Sequence, residues 1–189
     1  MALLSIKKRE EYFELIGIGA YNKRNILRLQ KKYFRRDIDY DGIYGKDTDT
    51  LLRHIVNVML NTKNFKPEEF RCSCGMCTGY PDRMKAKTLK LCQHIRSNYN
   101  KPMTITSGLR CLYENSNSTG SVINSKHLTG QAFDYYIYGV TDTVFNRKKT
   151  IKVIEKFKYH DFSYGDGIDS DGNIRSAKYM GNAMHTQSK

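Results

Sequence analysis

A change in sequence character near residue 62 is the feature that most constrains the fold. Before it, apolar residues recur at helical spacing in two stretches, which the turn-rich segment 37–45 separates. After it come all five cysteines, together with segments of alternating polarity that are typical of strands. The sequence therefore predicts an α+β protein in which a small helical module, residues 1–62, precedes a larger domain, residues 63–189.

Hydrophobic periodicity places the main elements. In the first part it predicts helices at about 23–34 and from about Asp47 to Leu60, with Asp47, Thr48 or Asp49 as the N-cap of the second. A linker is expected at 61–64. In the second part we expect helices at 83–98 and 144–158, strands at 102–107 and 131–138, and a hairpin connection around 169–173.

The net charge of +13 predicts attraction to a polyanion, although charge alone leaves nucleic acid, anionic membrane and bacterial wall polymer open. No apolar run reaches the roughly 18 to 20 residues of a membrane span, so we expect no membrane insertion. Basic residues are spread over both parts without a known reading motif, so no nucleic-acid partner is expected. The first residues do not resemble a signal peptide, which predicts synthesis in the cytoplasm without export by the general route.

The most informative stretch is Ser125-Lys-His127-Leu-Thr-Gly130-Gln-Ala-Phe-Asp134. It carries a histidine and an aspartate, both good zinc ligands, on either side of a glycine and at the start of a predicted strand. The segment Ser107-Gly-Leu-Arg110-Cys lies upstream and His185 lies downstream. Together these motifs resemble the zinc D-alanyl-D-alanine carboxypeptidase family and its phage endolysin relatives, over about residues 65–187.

The resemblance implies a zinc ion held by His127, Asp134 and His185, in a domain with a mainly antiparallel sheet flanked by helices. Three protein ligands leave the fourth position open, as catalytic zinc requires. The resemblance also implies that Arg110 holds a carboxylate of the substrate, since a guanidinium offers a planar fork for that group. Ser125 is expected to contact substrate, to orient the site or to turn the chain.

One position departs from the family pattern. Members place an Asp or Glu, the general base, three residues before the last zinc-binding histidine, and here Asn182 occupies that place. An amide cannot take a proton from water, which predicts loss of much of the roughly 10² to 10⁴ supplied by general base catalysis. Three explanations stand open: a deliberate Asp→Asn replacement, which its isosteric nature favours; a natural binder that does not hydrolyse; or a base supplied by Asp166, Asp169 or Asp171.

The first module has a resemblance of its own. The segment Asp41-Gly-Ile-Tyr-Gly45, followed by a helix, resembles the three-helix peptidoglycan-binding module that accompanies wall hydrolases, over about residues 20–62. The alternative is a calcium loop, because Asp37, Asp39 and Asp41 with a following glycine copy the start of an EF-hand. The twelfth position is Thr48 rather than Glu, which favours a simple capped turn.

The cysteines leave several interpretations open. Cys72, Cys74 and Cys77 can anchor a structural zinc if Cys92, Cys111 or His94 completes the ligands; otherwise they are buried thiols, or form a disulfide, with Cys111 as one candidate partner. Cys92 is expected to lie on the apolar face of its helix, in the hydrophobic core. A cysteine peptidase lacks a convincing nucleophile context. His54, His94 and His160 are interpreted as surface or packing residues.

Taken together, the sequence predicts a monomeric, endolysin-type zinc peptidase that acts on bacterial peptidoglycan in the cell wall. It would hydrolyse a peptide bond of the stem peptide or cross-link, and it would be inactivated in part or in full by Asn182. The bond between L-Ala and D-Glu, a D,D cross-link and the terminal D-Ala all stay open as the target. The alternative is a zinc-containing protein that binds peptidoglycan without hydrolysing it.

Overall fold

A computed structural model describes residues 2–161 and 183–189. Several predicted features lie outside these residues: Asn182, the three alternative bases Asp166, Asp169 and Asp171, and the hairpin connection around 169–173. Everything below concerns the described residues.

Three helices form the first part: α1 (Ile6–Leu15), α2 (Lys23–Tyr33) and α3 (Lys46–Asn61). The last two confirm the helices predicted from periodicity. The N-cap prediction for α3 is wrong, because Gly45 occupies the cap and makes no side-chain capping bond. Asp49 lies in the first turn instead, where its Oδ1 accepts hydrogen bonds from the backbone N–H of Leu4 at 2.7 Å and the Tyr44 hydroxyl at 3.0 Å.

The second part contains the remaining helices and all strands. They are α4 (Ala86–Tyr99), β1 (Met103–Ser107), α5 (Leu112–Asn117), β2 (Ala132–Ile137), α6 (Val144–Glu155), β3 (His160–Asp161) and β4 (Met184–Ser188), with short 3-10 helices at Asp37–Asp39, Pro67–Phe70 and Lys126–Thr129. The predicted apolar face of α4 is confirmed, since Leu91 and Ile95 are fully buried. Across the described ranges, no helix combines the length and the apolar character that crossing a membrane requires.

The four described strands form one sheet in the order β1-β2-β4-β3, and every neighbouring pair is antiparallel. Helix α4 packs against β2 and β4 and also contacts α6. Helices therefore flank a small antiparallel sheet, and the predicted α+β class is confirmed.

The hydrophobic core runs from the first part into the second without a break at residue 62. Helix α3 packs against α4, and Asn57 donates a hydrogen bond to the carbonyl of Met84 at 3.0 Å. The segment predicted as a linker is held as well, because the backbone N–H groups of Lys63 and Asn64 both donate to the side chain of Gln93. The connection between the two parts is short and ordered.

Candidate active site

Strand pairing brings two of the predicted ligands together although they lie far apart in the sequence. Asp134 is on β2, and the antiparallel register with β4 places His185 directly opposite it. On the other side, β1 places Ser107 opposite Asp134, next to an irregularity in the β1–β2 register. Side chains that are directly opposite on neighbouring strands have Cβ atoms about 5 Å apart, so the sheet itself sets the spacing of Asp134 and His185.

His127 reaches the same place from the 3-10 helix Lys126–Thr129, just before β2. The Ser125 hydroxyl caps this helix by accepting a hydrogen bond from the His127 backbone N–H at 3.4 Å. Gly130 ends it with a left-handed backbone, φ = 66°, and a Cβ at this position would collide with the carbonyl of Arg83. The spacing Ser-x-His-x-x-Gly is thus that of a capped single turn, with the glycine required at its end.

The three candidate ligand atoms form a close triangle. His185 Nδ1 lies 2.8 Å from Asp134 Oδ1, and His127 Nε2 lies 3.2 Å from both of these atoms. Ligands about 2.0 to 2.2 Å from one tetrahedral zinc ion would be separated by roughly 3.4 Å. His127 is 1% exposed and Asp134 is 4% exposed, so the triangle lies largely out of water.

Hydrogen bonds on the far side of each ring favour the tautomer that a metal needs. His127 Nδ1 is 2.6 Å from the carbonyl oxygen of Gly108, which only accepts, so the proton sits on Nδ1 and the lone pair of Nε2 faces the triangle. His185 Nε2 is 3.2 Å from Gln187 Oε1, an acceptor for a proton on Nε2, and Nδ1 faces the triangle, 2.8 Å from Asp134 Oδ1. Metal-binding histidines are normally oriented in this way.

Electrostatics in the site favour the same protonation states. Burial lowers the pKa of His127, and the nearby Asp134 only partly offsets that effect, so the ring is biased towards its neutral form. For Asp134, burial acts in the opposite direction and would raise the pKa. When the two rings carry protons on the nitrogens that face it, hydrogen bonds and charge interactions with His127 and His185 outweigh burial and hold the pKa of Asp134 well below its ordinary value; a zinc ion would take the place of those protons. A neutral imidazole and an ionised carboxylate are the forms that bind zinc.

Arg110 lies beside this triangle and contacts it directly. Its Nη2 donates to Asp134 Oδ2 at 2.7 Å, and its Nε donates to the Ser107 hydroxyl at 2.8 Å. Asp134 therefore presents one oxygen to the two histidines and the other to a guanidinium. The sequence predicted a role for Arg110 in substrate binding but not this ion pair.

Sequence reasoning also missed two supporting groups. The carbonyl of Gly108 and the side chain of Gln187 orient the two histidines, and neither is distinctive from residue type alone. A Cβ on Gly108 would come within 2.5 Å of the carbonyl oxygen of Phe70, which explains why glycine follows Ser107. Residues two apart on a strand lie on the same face, so the position of Gln187 relative to His185 could have identified Gln187 as a supporting group.

The family comparison covers the middle of the chain. Residues 63–165 match the family model described as Peptidase M15, which is more than half of the sequence. The chain belongs to the peptidase M15 family. This membership confirms the predicted hydrolase and metallopeptidase class. Comparisons with curated proteins and with solved structures gave no match.

The M15 match contains His127 and Asp134 and ends before His185. The third corner of the triangle thus rests on the strand pairing of β2 with β4 rather than on the matched segment. The match begins at residue 63, next to the point where the sequence changes character.

Other predicted residues have structural surroundings. His54 is fully buried and packs, as interpreted from the sequence, with Nε2 2.9 Å from the Pro67 carbonyl and Nδ1 accepting from the Met84 N–H at 3.2 Å. In the candidate calcium loop, Asp39 forms a two-bond ion pair with Arg36, and Asp41 accepts from Gln30 and from the backbone of Ile43. These contacts favour a turn over a cation site.

Proposed function

We propose that this M15 protein is a peptidoglycan-degrading zinc peptidase of endolysin type, which cleaves a peptide bond in the stem peptide or cross-link. The observation that carries the proposal is the convergence of His127, Asp134 and His185, whose ligand atoms all lie within 4.8 Å of one another. The family supplies the reaction class, and the triangle supplies a place for the metal.

In this proposal, zinc is held by His127 Nε2, Asp134 Oδ1 and His185 Nδ1. When bound, it supplies a Lewis acid for the scissile carbonyl and acidifies the attacking water. Three protein ligands of total charge −1 leave one position open and a net charge near +1, which suits that chemistry. The contribution of the chain is a preset geometry, since strand pairing and the bond to Gly108 fix the ligands in advance.

Arg110 has two roles in the proposal. Its bond to Asp134 Oδ2 keeps the carboxylate turned so that Oδ1 faces the histidines. A guanidinium has five N–H donors, so the same side chain can also present N–H groups to a carboxylate of the stem peptide. Ser125 supports the site through the cap that it provides for His127, and we assign it this orienting role first, with substrate contact second.

We further propose that residues 1–62 form a wall-binding module and residues 63–189 the catalytic domain. The buried Gln30 side chain supports a preformed loop here, since it donates to Asp41 and Ile43 and accepts from the Gly42 N–H. This leaves Ile43 itself 62% exposed, as an apolar contact for a wall ligand. The positive charge of the chain suits anionic wall polymers.

Asn182 supports a second candidate, a zinc-containing protein that binds peptidoglycan without cutting it. An amide at the position of the general base removes the proton acceptor that hydrolysis needs. The two candidates share the metal triangle and differ in the chemistry at residue 182.

The test is to incubate the purified protein and its Asn182→Asp variant with purified peptidoglycan, with and without a chelator, and to identify released fragments by mass spectrometry. The proposal expects chelator-sensitive cleavage by Asn182→Asp, at least about 10²-fold faster than by the original chain. The fragment masses then name the bond. No cleavage of any wall type by either protein would overturn the peptidase proposal in favour of the binder.

A further inference from the structure

Four of the five cysteines converge at a second place in the molecule. Cys72, Cys74 and Cys77 come from the loop that follows the 3-10 helix Pro67–Phe70, and Cys111 is the N-cap of α5. All four Sγ atoms lie within 4.8 Å of one another, with Cys74 Sγ 3.6 Å from Cys77 Sγ and 3.5 Å from Cys111 Sγ. The fifth cysteine, Cys92, is fully buried in α4 and is not part of this group.

Each of the four sulfur atoms also receives a backbone N–H group. The N–H of Met76 points to Cys74 Sγ at 3.3 Å, and that of Gly79 points to Cys77 Sγ at 3.4 Å. The N–H of Cys111 points to Cys72 Sγ, and that of Glu114 points to Cys111 Sγ, both at 3.4 Å. Hydrogen bonds of this kind favour the thiolate, which is the form that binds metal.

We propose that Cys72, Cys74, Cys77 and Cys111 bind a structural zinc ion. Four thiolates 2.3 Å from a tetrahedral zinc ion are about 3.8 Å apart, close to the two separations given above. All five cysteines are free thiols here. A single disulfide would leave two of the four sulfur atoms unpaired, whereas one zinc ion would use all four.

The four-cysteine site lies between the first part of the chain and the segment that carries Arg110. Arg35 and Arg36, which follow α2, donate to the carbonyls of Ser73 and Met76 in the cysteine loop. On the other side, Cys111 follows Arg110 directly, so a metal ion there fixes the end of the segment that supports the catalytic triangle. The zinc therefore ties the first part of the chain, the cysteine loop and Arg110 together.

The thiolate site is closed, because all four positions of a tetrahedral ion are filled by protein. Such sites are structural, whereas catalytic sites keep a position for water or substrate. The proposal is independent of the peptidase proposal, since it uses none of the same side chains.

Cobalt substitution of the full chain tests this site. A tetrahedral cobalt ion with thiolate ligands gives intense sulfur-to-metal charge-transfer absorption, which the His/Asp/His site cannot produce. We expect this band in the original chain, in His127→Ala and in the control Cys92→Ala, and a clearly weaker band in Cys77→Ser, which removes one of the four thiolates.

The His127→Ala protein keeps the test decisive even if Cys77→Ser fails to fold, because its cysteine cluster is intact. Absence of the charge-transfer band from both the original chain and His127→Ala would overturn the proposal. So would a native protein, purified under reducing conditions, that holds iron rather than zinc at these thiols. A band in the Asn182→Asp protein without chelator-sensitive cleavage by that protein would count against the peptidase proposal alone.

Discussion

The His127–Asp134–His185 triangle and the four-cysteine cluster are built in opposite ways. The triangle is assembled by a sheet, with two of its members opposite each other on β2 and β4. Three of the four cysteines come from a six-residue stretch, Cys72–Cys77, that belongs to no helix or strand. In the two proposals, the number of protein ligands separates the functions: three would leave a position open for chemistry, and four would close the site.

The two clusters share one segment, Ser107–Cys111, which runs between them. The carbonyl of Gly108 orients His127, and Arg110 holds Asp134. Cys111 belongs to the other cluster, one residue further along the chain. In the two proposals, the closed site would therefore support the open one through a few residues of connecting backbone.

Removing a ligand from the triangle is the change with the largest expected effect. In the Asn182→Asp background, His127→Ala should lower peptidoglycan cleavage by about 10³-fold or more, because the metal contributes several kcal/mol of transition-state stabilisation. The rate of fragment release measures this. Cleavage that persists at the parent rate would show that the triangle is not the metal centre, provided that circular dichroism shows a folded variant.

His54 sharpens the comparison, because it is buried as deeply as His127 yet has both ring nitrogens bonded to backbone. Burial lowers the pKa of His54 from 6.5 to about 4. In the unfolded chain it takes a proton near pH 6.5, so the stability that it contributes is complete above that pH and is lost as pH falls towards 4. That loss is about 3 kcal/mol.

Denaturation of the metal-free protein at a series of pH values tests this. Between pH 7 and 4 the original chain should lose about 3 kcal/mol more stability than His54→Gln, which cannot take up the proton. Equal losses in the two proteins would mean that His54 is not held neutral in the folded state.

Gly130 and Gly17 provide a matched pair for the turn that positions His127. Both have left-handed backbones, with φ = 66° and 70°, but a Cβ on Gly17 meets nothing within 4 Å whereas one on Gly130 meets the Arg83 carbonyl. Gly17→Ala should cost about 1 kcal/mol, and Gly130→Ala about 2 kcal/mol more, because it adds overpacking to backbone strain. Thermal denaturation measures both, and equal shifts would contradict the close approach to Arg83.

The smallest effect is expected for Gln187→Ala, a change next to the ring nitrogen of His185 that points away from the triangle. Replacing Gln187 by Ala removes the acceptor for His185 Nε2, and such supporting groups are worth about 10-fold or more in metal affinity. Competition with a chromophoric chelator measures zinc affinity. Gln93→Ala on α4 is the control, since Gln93 binds the backbone of Lys63 and Asn64 and should leave the affinity unchanged.

Sequence reasoning succeeded where the signal is local. The apolar face of α4 and the α+β class follow from periodicity, and a motif at fixed spacing marks His127 and Asp134. His185 was named only through the family resemblance, and its role as a ligand stays a prediction. Sequence reasoning failed at the start of α3, where Asp47, Thr48 and Asp49 are all good caps by residue type but Gly45 is the observed N-cap. It also could not supply the register of β2 with β4, which joins Asp134 to a histidine 51 residues away.

The convergence of the cysteines could be predicted only in part, because it also depends on contacts between residues far apart in the sequence. The spacing of Cys72, Cys74 and Cys77 indicated a group, but the residue that completes it stayed open among Cys92, Cys111 and His94, with Cys92 expected in the core. Only the tertiary structure separates these candidates. The backbone N–H of Cys111 donates a hydrogen bond to Cys72 Sγ, whereas Cys92, on α4, is buried in the hydrophobic core.

The most direct test of the account is the number of zinc ions per chain in four proteins. The account predicts two in the original chain, one in His127→Ala, one in Cys77→Ser and none in the double variant. A single zinc ion in the original chain that disappears with only one of these substitutions would show that one of the two clusters does not bind zinc.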